Sequence, residues 1–321
     1  MLSKESTIAV MGAGAVGCFF GGRLARAGRT VTLIARPEHV QAINDHGLQM
    51  DCLDFQEAVA VNATEDVSAL ADADLVLVSV KSPDTGPTME VIKRFLKPDA
   101  RILSLQNGVD NCDRIRQGVP QPAYAAVVYV AAAMTGPGRL KHFGRGELLI
   151  GDPGGQISES AQRDLDGIAE IFASADIPCT ISPDIKRDLW SKFLVNCIYN
   201  GISAIGQIQY GELVKVAQIQ ELIEALTREF LQVAQAEGVA ISWEEAMAAN
   251  QAIATTMAGQ RSSTAQDLAR GRPTEIDFLN GLIVRQGRAH GIATPAHQAI
   301  HGLVKMFEQK NQIVYSPSCE K

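Results

Sequence analysis

Apolar positions in the first half of the chain fall in short unbroken runs, separated by stretches with helical spacing. Residues 7–11 are β-branched or apolar and end at glycines. Residues 15–27 then place Val16, Phe19, Phe20 and Leu24 at helical intervals, with Gly28 where a helix C-terminus calls for a left-handed residue. Residues 30–35, 74–80 (DLVLVSV) and 101–106 (RILSLQ) are further strands, and a helix over 88–96 lies between the last two. Their near-continuous apolar character suits parallel strands covered on both faces. The alternation predicts a doubly wound α/β domain. Residues 124–134, a turn over 135–138 (TGPG) and residues 139–143 read as strand, turn, strand. A strand over 147–150, a helix over 158–175 and a short strand over 179–182 follow.

After Pro183 the strand pattern stops. Residues 184–200, 212–238, 243–257 and 276–291 all carry helical periodicity, so the predicted organisation is an α/β domain over 1–183 and an all-α domain over 184–321. A length of 321 residues agrees with two domains of about 150 each. Apolar residues make up 46% and charged residues 20%, the balance of a globular chain. The net charge of −7 leaves no basic excess for nucleic acid, and any anionic ligand needs a local cluster of cations. The longest apolar run, 124–134, is well short of the roughly 18 residues of a membrane span. Residues 8–22, after Lys4, imitate a signal segment, and 15–18 imitate a lipoprotein cleavage box. Glu5 in the would-be basic part, and a better use for the glycines, argue against that reading. Six cysteines, at 18, 52, 112, 179, 197 and 319, form no C-x-x-C pair and show no zinc-ligand spacing. They read as buried free thiols of a cytoplasmic protein.

Chemistry concentrates in five places. Gly12-Ala13-Gly14-Ala15-Val16-Gly17 follows a predicted strand and opens a predicted helix, the context of a Rossmann-type dinucleotide motif. Gly12 allows the tight turn, Gly14 lets the backbone approach a pyrophosphate, and Gly17 lets the helix pack on the strand. Arg36, nineteen positions after Gly17, stands where NAD-binding chains place an acidic residue. A guanidinium there clamps a 2′-phosphate and favours NADP(H), the alternative being an ordinary surface arginine. Lys81 and Asn107 end two strands of the parallel sheet, where ligands bind; the alternatives are a solvated strand end and an Asn-Gly turn. Lys192, Asn196 and Asn200 are spaced i, i+4, i+8 on an otherwise apolar helix. One amine and two amides on one face suit a small molecule's carbonyl and hydroxyls, unless they form merely a wet face. Finally, Ser263 with Gln266 fits a capping box, and Thr274 with Glu275 fits the start of the next helix. Both segments are explained structurally, without a catalytic role.

With these pieces placed, the chain resembles the ketopantoate reductase (2-dehydropantoate 2-reductase) family over nearly its whole length. The likeness runs from the glycine motif through Lys81, Gln106-Asn107-Gly108, Trp190-Ser191-Lys192, Asn196, Asn200, Ser262-Ser263 and Asp267 to Thr274-Glu275-Ile276-Asp277 and Asn280-Gly281. It implies NADPH-dependent reduction of 2-dehydropantoate to pantoate, for pantothenate biosynthesis. Lys192 is then the general acid. Asn196 and Asn200 hold the substrate's hydroxyl and oxo groups, and Ser263 its carboxylate. Glu275 contacts the substrate hydroxyl and the cofactor, and Lys81 and Asn107 flank the nicotinamide. Gly12, Gly14, Ala15, Val16, Gly17 and Arg36 bind NADP(H); no metal is implied. The chain departs from the family at Gly201, where proline is common, at Tyr199 beside the stripe, and at His297, where asparagine is common after Thr294-Pro295. These departures touch pocket shape and keep a second substrate class open, another branched or aromatic 2-oxo acid. A non-catalytic NADP-binding sensor is the third reading. The expected partner is a small molecule, not nucleic acid or membrane, and the apolar helical domain leaves a homodimer open.

Overall fold

Four consecutive aliphatic residues, Leu75-Val76-Leu77-Val78, have no room for solvent on either face and are fully buried. They form a central strand of a ten-stranded sheet. In the computed structural model, which describes residues 2–3, 5–155 and 157–314, the first elements are β1 (Ile8–Met11), α1 (Ala15–Arg26), β2 (Val31–Ile34), α2 (Pro37–His46), β3 (Leu48–Asp51), β4 (Gln56–Val59) and β5 (Asn62–Thr64). Then come β6 (Leu75–Val78), α3 (Thr85–Ile92), β7 (Arg101–Ser104), α4 (Asn111–Gly118), β8 (Ala123–Gly136), β9 (Arg139–Gly151), α5 (Glu159–Ala173) and β10 (Cys179–Ile181). Cys319 and Lys4 lie outside the described residues.

Six strands pair in parallel in the order β5-β2-β1-β6-β7-β8. This is the spatial order of a doubly wound nucleotide-binding sheet, and its direction of growth reverses between β1 and β6. Beyond β8 the sheet becomes mixed. β9 returns antiparallel to β8, β3 and β10 pair parallel to β9, and β4 closes the edge antiparallel to β3. The predicted strands 139–143 and 147–150 are one strand, β9. The Gly-Arg-Gly break between them is a bulge, with Arg145 at φ 61° and the register slipping between Tyr129 and Val130. The signal-like stretch 8–22 is taken up by β1 and the start of α1. The five described cysteines, Cys18, Cys52, Cys112, Cys179 and Cys197, are free thiols.

The described residues form two compact units, divided between Asp188 and Leu189. Helix α6 (Ile185–Gly206) runs past the predicted end at 200. The predicted helix 212–238 is two, α7 (Tyr210–Leu213) and α8 (Ala217–Ala236), and α9 is Trp243–Thr256. A short helix, α10 (Ser263–Ala269), precedes a 3-10 turn (Ile276–Phe278), α11 (Asn280–Ala289) and α12 (Pro295–Val314). Rings of Trp190 and Phe193 from α6 meet Phe230 of α8 at 5.5 and 5.6 Å, the aromatic heart of this unit. Among the described residues no helix is long and apolar enough to cross a membrane.

Candidate functional site

In the first unit the glycine turn sits where the sheet reverses direction. Gly12 has φ +95°, and a Cβ there would come within 2.7 Å of the Val80 backbone nitrogen at the end of β6. A Cβ on Gly17 would meet the Gly12 carbonyl at 2.7 Å and Ser79 Oγ at 2.6 Å, so only glycine lets α1 lie on β1 and β6. Gly12 and Ala13 both donate backbone N–H bonds to the Ile34 carbonyl, fastening the turn to β2. Gly14 differs: a Cβ there would touch no protein atom within 4 Å. Packing within the chain therefore gives no reason for glycine at 14, whereas an approaching ligand does. Gly14 is also the N-cap of α1 and offers no side-chain cap, and no acidic residue stands in the first turn. The leading N–H groups of Ala15, Val16 and Gly17 carry the positive end of the helix dipole there. A pyrophosphate suits this cradle in charge and in its need for backbone N–H donors.

Arg36 closes β2 at the N-cap of α2, 73% exposed, with Nε 3.6 Å from Glu38 Oε1. Lys81 is exposed just past β6, and Asn107 is half-buried just past β7. A buried polar net that sequence reasoning missed holds their two loops together. Asn111 Nδ2 donates to the Asn107 carbonyl at 2.6 Å and to Ser82 Oγ at 3.2 Å. Gln106 Nε2 donates to Thr85 Oγ1 at 2.7 Å and to the Val80 carbonyl at 3.0 Å. Thr85 Oγ1 in turn donates to Asn111 Oδ1 at 2.9 Å. The only sequence cue is the clustering of short polar residues just after two apolar strands.

In the second unit Lys192, Asn196 and Asn200 share one face of α6 at one-turn intervals, Lys192 and Asn196 half-buried and Asn200 buried. Tyr210 Oη donates to Asn200 Oδ1 at 3.1 Å and fixes which way that carboxamide turns. Tyr199 does not front the stripe. It is 1% exposed, its hydroxyl donates to the Asn250 carbonyl at 2.8 Å, and burial pushes its pKa up to about 12. The capping box expected at Ser263 is one residue off. Ser262 is the N-cap of α10, accepting from the Ala265 N–H at 3.0 Å and donating to the Asn200 carbonyl at 3.1 Å. Ser263 is thereby left exposed on the first turn, anchored to α6 through its neighbour.

Thr274 Oγ1 accepts from the Ile276 N–H at 3.2 Å, closing a turn just before the 3-10 turn, whose N-cap is Glu275, rather than capping α11. Its own N–H and hydroxyl both donate to Glu308 Oε1 of α12, at 2.8 and 2.6 Å. Asp277 accepts from His301 Nε2 at 2.6 Å and pairs with Lys305 at 2.8 Å; these bonds hold its carboxyl well below the usual carboxylate range. Half-buried Glu275 is thus clamped on both sides to α12. Gly201 is explained by packing, since a Cβ there would lie 2.2 Å from Ile300 Cγ2. His297 is fully buried and neutral, donating from Nε2 to the Leu226 carbonyl at 3.0 Å and accepting from Asn280 Nδ2 at 3.0 Å. Asn280 also donates to the Cys197 carbonyl of α6 at 2.8 Å.

Comparison with known proteins covers both units. The family model described as ketopantoate reductase PanE/ApbA matches residues 8–155, and its C-terminal counterpart matches 184–308. The chain is 33% identical to the 2-dehydropantoate 2-reductase of Halobacterium salinarum, over 94% of this chain and 99% of that one. It is 48% identical to the PanE/ApbA family ketopantoate reductase of Ralstonia eutropha JMP134, with a TM-score of 0.89 over 95% of this chain and 99% of that one. A D-mandelate dehydrogenase, solved with NADH and anilino(oxo)acetate, has a TM-score of 0.88 at 28% identity, over 95% and 99% of the two chains.

Proposed function

The chain belongs to the ketopantoate reductase family, and from that premise we propose that it reduces 2-dehydropantoate to pantoate with NADPH, in the cytoplasm. The observation that carries this reading is the face of α6, where a primary amine stands one turn from one carboxamide and two turns from another. NADPH supplies the hydride that goes to the carbonyl carbon of the 2-oxo acid. Lys192 Nζ, protonated, stabilises the negative charge that grows on the carbonyl oxygen and then donates its proton to that oxygen. Asn196 and Asn200 orient the substrate's hydroxyl and oxo groups, Asn200 with its rotamer set by Tyr210. Ser263 takes the carboxylate. Glu275 takes the substrate hydroxyl and reaches the cofactor, its backbone held through Thr274 and Asp277. Gly12, Gly14, Ala15, Val16 and Gly17 seat the pyrophosphate, Lys81 and Asn107 flank the nicotinamide, and Arg36 selects the 2′-phosphate. The five free thiols support a reducing compartment.

The test is NADPH oxidation with 2-dehydropantoate against a panel of branched and aromatic 2-oxo acids that includes phenylglyoxylate. We expect the highest kcat/KM on 2-dehydropantoate. More than tenfold higher kcat/KM on another acid overturns the substrate assignment, and absence of turnover on any of them points to a sensor. The aromatic alternative is kept because the D-mandelate dehydrogenase matches nearly the whole chain.

A further inference from the structure

The rim of the sheet formed by β3, β4 and β9 gathers three side chains that the reaction does not use. Cys52 follows β3, Asp54 lies in the turn before β4, and His142 is on β9. One donor atom from each lies within 4.8 Å of the other two. His142 is 6% exposed, with its ring against Phe19 at 4.6 Å. Its Nε2 faces the Arg145 carbonyl at 2.6 Å. A carbonyl only accepts, so Nε2 carries the proton and Nδ1 presents a lone pair. That buried Nδ1 has no hydrogen-bond partner. A lone pair buried without a donor is costly in a folded core. An imidazole fixed by a carbonyl on one nitrogen and open on the other has the posture of a metal ligand.

We propose that Cys52 Sγ, His142 Nδ1 and a carboxylate oxygen of Asp54 form a binding site for zinc(II), with solvent in the fourth position. The donor set selects the ion class. Sulfur with imidazole suits a borderline-soft cation such as zinc, whereas magnesium and calcium take oxygen ligands. Arg23 grips both oxygens of Asp54, at 3.1 and 2.9 Å, and each oxygen keeps a second lone pair for a metal. This guanidinium therefore orients the carboxylate as an outer-shell partner. The Asp54 side chain is 51% exposed and gives the ion an entry path. The Cys52 N–H donates to the Phe55 carbonyl at 2.9 Å, so the turn that carries two of the ligands is already closed. Cys52 is a free thiol. Binding accordingly breaks the S–H bond, forms a sulfur–zinc bond and sends the proton to solvent.

The experiment uses the untagged full chain, stripped with a chelator, exchanged into metal-free buffer and titrated with zinc(II) by calorimetry in two buffers of different ionisation heat. One equivalent should bind with release of a proton, and cobalt(II) in its place should show a thiolate-to-metal charge-transfer band. Cys52→Ser and, at the exposed ligand, Asp54→Asn should each weaken zinc binding at least tenfold. Cys179→Ser should leave it unchanged. Zinc binding that survives Cys52→Ser, a cobalt spectrum without the thiolate band, or tighter binding of magnesium than of zinc overturns the site. None of these readouts depends on the reductase assignment.

Discussion

The two units build their candidate site residues by different means. In the first, the candidate site is backbone: a left-handed glycine, an open helix N-terminus and a position, Gly14, where a Cβ would meet no protein atom within 4 Å. In the second, it is side chains on one face of a helix, and a deeper layer of hydroxyls and amides fixes Asn200 and the helix that carries them. Backbone recognition needs glycines at set spacing and tolerates little else. Side-chain recognition needs only a helical period, but it also needs partners distant in sequence to fix each rotamer.

The sharpest test of that contrast is Lys192→Ala. It should lower kcat by about a hundred- to ten-thousandfold while NADPH affinity, read by fluorescence titration, stays near wild type. A parallel loss of NADPH affinity would mean that the stripe serves the cofactor. Next in size is a pH effect confined to the helical unit. Burial lowers His297 from 6.5 to about 4. The unfolded chain therefore holds that proton more tightly, and the stability His297 contributes is complete above pH 6.5 and drains away as the pH falls towards 4. This is worth up to about 3 kcal/mol. Thermal melts of wild type and His297→Gln across that interval should show a steeper fall in Tm for wild type; parallel slopes would refute a buried neutral imidazole.

The glycines allow a comparison inside the first unit. Gly17→Ala forces a Cβ against the Gly12 carbonyl and should cost about 1–3 kcal/mol of stability in denaturant titration. Gly14→Ala should leave stability unchanged and weaken NADPH binding at least tenfold, because only a ligand would meet the methyl group. Equal loss of stability in both variants would remove the argument that Gly14 serves a ligand. The smallest effect belongs to Arg36→Ala. The side chain is exposed, so the loss should be about 1 kcal/mol, seen as a several-fold rise in KM for NADPH with KM for NADH unmoved.

Much of this was legible in the sequence, and the omissions share a cause. Strands buried on both faces, β1, β6 and β7, announce themselves as apolar runs. Strand β4 does not, because three of its four residues are exposed at the sheet edge, and the region 37–72 went unread with it. The i, i+4, i+8 stripe was visible because helical spacing is local. The neighbouring serines mislead: the spacing of Ser263 and Gln266 fits a capping box, yet Ser262 is the N-cap, and its contact with the Asn200 carbonyl leaves no local signal. His297 read as a departure from a family pattern. Its partners, Asn280 and the Leu226 carbonyl, lie 17 and 71 residues away, beyond any local signal.

The polar net behind Lys81 and Asn107 gives the first unit one more property. Gln106, Thr85, Asn111 and Ser82 share their hydrogen bonds in a chain, so releasing one member strips partners from the next in a buried setting. The loops after β6 and β7 are therefore expected to open as a single unit. Their amide protons should exchange with solvent together, which hydrogen exchange read by mass spectrometry checks; independent exchange of the two loops would refute the coupling.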